Sequence, residues 1–425
     1  MTTEGLPSTE QTNGRPKLEV ADIFRAFGPA YRERHVLTPE QREVMAAIET
    51  CRTVVLGGHA DVCQRCGHVE ISYNSCRNRH CPKCQGLAQA RWLAQRMERV
   101  LPTHYFHVVF TLPEPLRPLV LRNRRSLFDL LFTAASATLL ELGHDPNWLG
   151  ATLGITAVLH TWSRTMRFHP HLHCIVTGGG LSEDDTQWLS TKQDFLFPVR
   201  VLSSLFRGKL LDGLRRLYKK GQLDLSGPCV PLSDPATFAR LVAELYDTDW
   251  CVYAKEPFGG PEAVYAYLGQ YTHRVAISNW RLRSFDGEQV SFSTKDGGTE
   301  TVSAETFIAR FLLHVLPKGF VRIRHYGLMA PSNATTRLER ARALLTSGDD
   351  ASGAPLHEVS APEEDRTTSA LSGEDIEDLG WQDLLLLLTG HDVNVCPLCG
   401  QGPMVRVALS VVRSPPETPE PRDSS

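Results

Sequence analysis

The chain has 425 residues, of which 42% are hydrophobic and 22% are charged, and its formal net charge is -3. This length can hold two or three domains with a sizeable core, and the charge excludes a uniformly basic nucleic-acid coat but not a local basic face. The first residues are polar, and the most apolar stretch, 127–142, is short and contains Asp129. We therefore expect a cytoplasmic protein without a signal peptide or a membrane span.

Helical and strand-like stretches alternate along the chain. Thr38 and Pro39 have the chemistry of an N-cap and a first helical residue, so we expect helices at 20–31 and 39–51. Aromatic and β-branched runs predict strands at 105–112, 154–162, 171–177 and 250–255, helices at 88–100, 118–142, 203–220 and 236–246, and hairpins at 285–302. The predicted domains are a polar lead at 1–17, a helical and Cys-rich domain at 18–100, a larger domain at 101–345, an acidic linker at 346–375, and a C-terminal segment with a charged tail at 376–425.

Cysteines are concentrated in two places. Six of the eleven lie between Cys51 and Cys84, and two more form a C-x-x-C pair at Cys396 and Cys399. In a cytoplasmic chain such clusters indicate metal binding rather than disulfides. The C-terminal pair supplies two of the four ligands of a zinc site, and the sequence does not identify the other two.

Two C-x-x-C knuckles in the Cys-rich block can face each other and complete a tetrahedral Zn²⁺ shell. The predicted ligands are Cys63, Cys66, Cys81 and Cys84. Cys76 or His80 could replace one of them. The zinc module either contacts DNA or has an architectural role alone.

Basic residues accompany the knuckles and favour a contact with DNA. The predicted DNA contacts in and after the block are Arg65, Arg77, Arg79, Lys83 and Arg91. Arg274, which lies much later in the chain, is a further candidate.

A histidine-rich strand is the most informative feature of the larger domain. On a strand, His171 and His173 point to one face, and the residues between and after them point into the core. Such a pair can bind one divalent ion that polarises a scissile phosphate. For the third ligand, His160 and Gln270 rank jointly first, and His107 is also a candidate.

Two tyrosines follow on a predicted helix. Tyr267 and Tyr271 are four residues apart and therefore share one helix face. A phenol can attack a phosphodiester when a metal ion withdraws charge from the phosphate. The alternative is a buried helix face, since both tyrosines belong to an apolar stripe at 264–275. The nearby histidine pair favours the catalytic interpretation.

Several motifs together resemble the rolling-circle transposases of insertion-sequence family 91, over about 21–331. The resemblance rests on the first Cys knuckle, Tyr73-Asn-Ser-Cys-Arg-Asn-Arg-His-Cys-Pro-Lys-Cys84, Phe110-Thr-Leu-Pro113, His169-Pro-His-Leu-His173 and Tyr267-Leu-Gly-Gln-Tyr-Thr-His-Arg-Val-Ala-Ile-Ser-Asn279.

The resemblance implies an α+β fold: an HUH endonuclease-like antiparallel sheet flanked by helices and preceded by a small Cys-rich zinc-binding module. His171 and His173 would hold Mg²⁺ or Mn²⁺, with Zn²⁺ in the module. A tyrosine would nick single-stranded DNA at the end of a mobile element and leave a 5′-phosphotyrosine link and a free 3′-hydroxyl. The second tyrosine would take part in the other strand transfer. The implied partners are element ends and target DNA, with host replication proteins as further candidates.

Two other functions remain open at this stage. A plasmid replication initiator or a conjugative relaxase would use the same chemistry. A zinc-dependent DNA-binding regulator would keep the fold and lack the activity.

Overall fold

A computed structural model of the chain describes residues 18–84, 86–97, 99–192, 194–255, 275–294, 297–347 and 392–409, together with 380, 382, 383 and 386. The predicted tyrosine helix, with Tyr267, Gln270, Tyr271 and Arg274, lies outside these residues. So do the predicted lead at 1–17 and the linker from 348 onward.

The described residues form α-helices and antiparallel sheets, as predicted. The α-helices in these ranges are α1 (Val20–Arg34), α2 (Pro39–Thr50), α3 (Gly86–Met97), α4 (Arg117–Arg122), α5 (Arg124–His144), α6 (Val199–Lys219), α7 (Pro235–Asp247), α8 (Ala304–Leu312) and α9 (Arg337–Ser347). The strands are β1 (Gly58–Cys63), β2 (Val69–Tyr73), β3 (Tyr105–Thr111), β4 (Ala151–Trp162), β5 (Phe168–Ser182), β6 (Trp188–Ser190), β7 (Val252–Lys255), β8 (Leu282–Phe285), β9 (Gln289–Ser293), β10 (Thr299–Ser303), β11 (Ile323–Gly327) and β12 (Met404–Leu409).

The start of α2 shows how local sequence sets an element boundary. The backbone N–H of Gln41 donates to the Thr38 hydroxyl at 3.2 Å, and the Thr38 N–H donates to the Gln41 side chain at 3.0 Å. Pro39 occupies the first turn, where a missing N–H costs nothing. The predicted capping residue is confirmed.

A six-stranded central sheet organises the larger domain. Its order is β11-β4-β5-β3-β7, with β6 beside β5, and every pairing is antiparallel. The long strands β4 and β5 pair along most of their length. One face is buried in a large hydrophobic core that includes residues of α5, α6 and α7.

Helix α5 is long and apolar enough to cross a membrane by length and composition. It contacts β4 and α6 instead, and most of its apolar residues are buried in the core of the larger domain. It is the core helix that the sequence predicts.

A second buried cluster joins the N-terminal helices to a distant part of the chain. Helices α1 and α2 pack with α8 and with the β10-β9-β8 sheet. The rings of Phe24 and Phe311 meet edge to face, with centroids 5.2 Å apart. These contacts hold the start of the chain against residues close to the end of the larger domain.

The Cys-rich module contains a third sheet, of order β12-β1-β2. Strand β12 runs antiparallel to β1 from Gly58, opposite Leu409, to Cys63, opposite Met404. The Arg406 guanidinium donates two hydrogen bonds to the Asp61 carboxylate, at 2.8 and 2.9 Å. The C-terminal segment, predicted as a separate unit in sequence, therefore lies in the N-terminal module in space.

Candidate active site and metal centres

The histidine residues meet on the face of the central sheet opposite the large core. Leu172 and Cys174 on β5 are fully buried in that core, as the alternation predicts. His171 and His173 therefore point to the other side, where His171 is the register partner of His160 on β4. We call this side, which also carries His107 on β3, the histidine face.

Three of these imidazoles form a cluster. A ligand nitrogen of His160, of His171 and of His173 lies within 4.8 Å of each of the others. The ring centroids of His160 and His173 are 4.3 Å apart, and those of His171 and His173 are 4.9 Å apart. Of the predicted third ligands, His160 joins the pair, whereas Gln270 lies outside the described residues.

Hydrogen bonds orient the two strand histidines. Nδ1 of His171 donates to the carbonyl of His169 at 2.7 Å, and Nδ1 of His173 shares a hydrogen bond of 2.7 Å with Nε2 of His107. Both contacts use Nδ1, so they favour Nε2 as the metal ligand. His107 was predicted as a possible ligand, and its contact makes it a partner that positions His173.

Burial keeps His160 and His171 uncharged at neutral pH. Burial lowers the pKa of His171 to about 4 and lowers the pKa of His160 well below its usual value. A metal ligand must be the neutral imidazole, so no proton has to be displaced at physiological pH.

The donor set can be compared with the ions expected from the sequence. Three imidazoles suit a first-row transition metal, whereas Mg²⁺ is a hard ion that prefers oxygen ligands. The residues present fit Mn²⁺ better than Mg²⁺.

A cavity opens beside the beginning of β5. Its volume is about 290 Å³, and its lining includes Glu114, Arg117, Arg167 and His169. Arg167 directly precedes the histidine strand in sequence, and Arg117 lines the same cavity; guanidinium groups of this kind can contact phosphates.

The cysteines form two clusters of four, and this corrects the predicted zinc site. The first cluster is Cys51, Cys76, Cys81 and Cys84, and the second is Cys63, Cys66, Cys396 and Cys399. The prediction that the two N-terminal knuckles share one ion is wrong. The first knuckle lies at the end of β1, where β12 brings in the C-terminal pair, and the second knuckle pairs instead with Cys51 and Cys76.

His80 is not a ligand in either cluster. Its Nε2 accepts a hydrogen bond from the backbone N–H of Leu316 at 3.2 Å, and its Nδ1 lies 3.2 Å from the Asn78 side-chain oxygen. Burial lowers the pKa of His80 to about 3, so the ring is neutral. Both nitrogens are used, and the residue ties the second knuckle to the segment that leads into β11.

The basic residues of the module divide into two groups. Arg65, Arg77 and Arg91 are exposed. Arg79 instead donates to the carbonyls of Phe320 and Pro317, at 2.6 and 3.2 Å. Lys83 forms an ion pair with Glu19, in which its own side chain is mostly covered. The latter two therefore have internal partners, which the sequence pattern does not reveal.

The Cys-rich part of the chain and the larger domain each match a family profile. A family profile described as "Transposase zinc-binding domain" matches residues 23–112, and one described as "Putative transposase" matches residues 154–337. A Sinorhizobium fredii protein named "Putative transposase y4qJ" is 46% identical over 398 residues, which cover 92% of this chain and 95% of the relative. The chain belongs to the IS91-family transposases.

A second relative of this transposase is more distant. The "Transposase for insertion sequence element IS801" of Pseudomonas savastanoi pv. phaseolicola is 29% identical over 296 residues, covering 68% of this chain and 70% of the relative. No solved structure matches the chain. The family placement makes this transposase a DNA-processing enzyme with a structural zinc-binding domain. The zinc-binding profile covers the four cysteines of the first cluster, whereas both matched regions end before Cys396.

Proposed function

We propose that this transposase moves its element by rolling-circle transposition, nicking and joining single-stranded DNA through a 5′-phosphotyrosine intermediate. The observation that carries the proposal is the cluster of His160, His171 and His173 on two adjacent strands. In a DNA-processing family, such a cluster provides an ion site at which a phosphodiester can react.

The histidine cluster would hold Mn²⁺ or Mg²⁺, and the ion supplies Lewis-acid polarisation of the scissile phosphate. The phenol oxygen of Tyr267 or Tyr271 attacks phosphorus and gives up its proton. The bond from phosphorus to the 3′-oxygen breaks, and that oxygen takes up a proton to become a free 3′-hydroxyl. One phosphodiester replaces another, so no ATP is needed for the later joining step.

The described residues that flank the tyrosine segment support this assignment. On one side, Lys255 at the end of β7 is the register partner of His107. On the other side, the chain resumes at Val275, within the buried cluster that also contains Met166 of the β4–β5 loop. The first anchor therefore pairs with the strand that carries His107, and the second shares a buried cluster with the loop that joins the two ligand strands.

DNA contact would be divided between two surfaces. The exposed arginines of the zinc module, Arg65, Arg77 and Arg91, would hold the phosphates of an element end, as would Arg274 in the tyrosine segment. The arginine-lined cavity beside β5 would hold DNA closer to the reaction. The substrates are then single-stranded element ends and target DNA, processed in the cytoplasm with host replication proteins completing the copy.

The test is incubation of the protein with single-stranded DNA that carries the element's ends, with Mn²⁺ or Mg²⁺, followed by denaturing electrophoresis. The proposal predicts a covalent protein–DNA adduct that is lost in His171→Ala and in the Tyr267→Phe/Tyr271→Phe double variant. The two single tyrosine variants identify the attacking phenol. His144→Ala is the matched control, because this exposed histidine bonds to Thr152 at the other end of β4 and lies outside the cluster.

A DNA-binding regulator without nuclease activity is the competing function. It predicts tight DNA binding by every variant and no adduct at any metal concentration. That result would also indicate that Tyr267 and Tyr271 belong to a buried helix face and do not act as nucleophiles.

A further inference from the structure

The second cysteine cluster is assembled from the two ends of the chain. The sulfur of Cys63 lies 3.7 Å from that of Cys399, 336 residues away, and the sulfur of Cys66 lies 3.7 Å from that of Cys396, 330 residues away. This cluster is separate from the one that lies in the N-terminal part alone.

The sulfur separations match a tetrahedral zinc site. Zn–S bonds of about 2.3 Å place neighbouring sulfurs of a regular tetrahedron about 3.8 Å apart. A disulfide would require about 2.05 Å. In the first cluster, the separation of the Cys76 and Cys84 sulfurs is 3.6 Å. Both clusters therefore have the dimensions of a Cys₄ zinc shell.

The two halves of the second cluster have the same local structure. In each, a C-x-x-C pair is followed by a glycine with positive φ, Gly67 at 72° and Gly400 at 64°. The glycine N–H donates to the carbonyl of the first cysteine, at 3.1 Å for Cys63 and at 2.9 Å for Cys396. This tight turn brings both thiolates to one side, and only glycine adopts it without strain.

Close backbone contacts bring the two halves together. Within the first half, the backbone N–H of Cys66 donates to the Cys63 sulfur at 3.5 Å. Gly402 packs so closely that a Cβ at this position would lie 2.3 Å from the Cys63 sulfur. The backbone N–H of Gln64 donates to the Pro403 carbonyl at 3.2 Å.

We propose that Cys63, Cys66, Cys396 and Cys399 hold a second structural zinc ion, which fastens strand β12 to the N-terminal module. The C-terminal segment thereby becomes part of the zinc-binding unit. The pairing of β12 with β1 depends on this ion, because β12 is a short edge strand whose burial is slight.

Zinc content of the full-length protein tests the proposal, by mass spectrometry of the metal after removal of loosely bound ions. Cys396→Ser/Cys399→Ser and Cys63→Ser/Cys66→Ser should each contain one zinc fewer than the wild type. Cys63→Ser/Cys396→Ser should also lose only one, because both residues serve one ion, whereas Cys84→Ser/Cys396→Ser should lose two. The matched control is Cys229→Ser/Cys251→Ser, which lie outside both clusters and should lose none.

Two measurements separate a lost ion from a lost fold. Cys399→His keeps a zinc-ligating nitrogen and should retain the full zinc content. Amide hydrogen exchange should show β12 deprotected in the Cys396→Ser/Cys399→Ser variant, while the amides of the central sheet stay protected. An unchanged zinc content in that variant, or the same loss in the Cys229→Ser/Cys251→Ser control, would overturn the proposal.

Discussion

His107 and His173 share a hydrogen bond of 2.7 Å between Nε2 of the first ring and Nδ1 of the second. The two rings are nearly parallel, with centroids 5.0 Å apart and planes inclined by 14°. Because this bond occupies Nδ1, it favours Nε2 of His173 as the ligand nitrogen. A buried residue on β3 thereby positions a candidate ligand on β5.

Removing this hydrogen bond should weaken metal binding without removing a ligand. We expect His107→Leu to lower the affinity for Mn²⁺ by about 10- to 100-fold, and His107→Gln, whose amide can renew the hydrogen bond, to lower it less. Titration calorimetry measures both. His104→Gln is the control, since His104 bonds to Thr191 outside the cluster. Equal affinity for wild type and His107→Leu would mean that His107 is only a packing residue.

The proposed ligand set makes a stronger prediction for His160. We expect His160→Ala to reduce the affinity for Mn²⁺ by more than about 100-fold, since it removes a ligand rather than a supporting contact. His169→Ala should bind Mn²⁺ as the wild type does, because His169 bonds to His171 through its backbone carbonyl, which the substitution keeps. Wild-type protein should bind Mn²⁺ more tightly than Mg²⁺. A preference for Mg²⁺ would point to oxygen ligands and contradict the three-imidazole site.

His314 should make stability depend on pH. Its ring bonds to Thr161 and to the Met166 carbonyl, and burial, aided by the nearby Arg124 charge, lowers its pKa from 6.5 to about 3. Between these values the unfolded chain binds the proton more readily. This contribution to stability is therefore complete above pH 6.5 and is lost as the pH falls toward 3, by up to about 1.4 kcal/mol per pH unit.

Urea denaturation between pH 7 and 4 measures the effect of His314. The free energy of unfolding of His314→Gln should fall less steeply with acid than that of the wild type. His144→Gln serves as a control, because His144 bonds to Thr152 at the other end of β4. Parallel curves for wild type and His314→Gln would contradict the prediction.

Exposed and internal arginines should respond differently to charge removal. We expect Arg65→Gln and Arg91→Gln each to weaken single-stranded DNA binding and to reduce the slope of log affinity against log salt by about 0.7. Arg79→Gln should instead lower stability, by about 1–3 kcal/mol, because two carbonyls lose their donor. Fluorescence anisotropy over a salt series measures the slopes. Arg215→Gln, exposed on α6, is the control.

Local patterns were enough to predict β3, β4, β5 and β7 and the histidine face, whereas β1, β2, β6, β11 and β12 were not predicted. The alternation of His171, Leu172, His173 and Cys174 specifies which side chains share a face, since a strand has a period of two. Thr38 and Pro39 specify the start of α2 by contacts within four residues. These features depend only on near neighbours in the chain.

The zinc ligand sets could not be derived in the same way. Any two C-x-x-C pairs could together supply the four thiolates of a zinc site. Which pairs do so depends on which strands become neighbours in the fold. Cys63 meets Cys399 because β12 pairs with β1, a contact between residues more than three hundred positions apart. A glycine follows each of Cys66 and Cys399, and this shared feature was the sequence signal that could have paired these two knuckles. His80 has the chemistry of a zinc ligand, but its ring accepts a hydrogen bond from the Leu316 backbone instead.

The central claim is that a tyrosine becomes covalently linked to DNA beside the histidine cluster. The most direct measurement is peptide mass spectrometry of the protein after reaction with single-stranded element ends and Mn²⁺, followed by nuclease digestion. The account predicts a nucleotide bound through a 5′-phosphate to Tyr267 or Tyr271, and none in the His171→Ala variant. A modification at any other residue, or nicked DNA without a modified peptide, would contradict it.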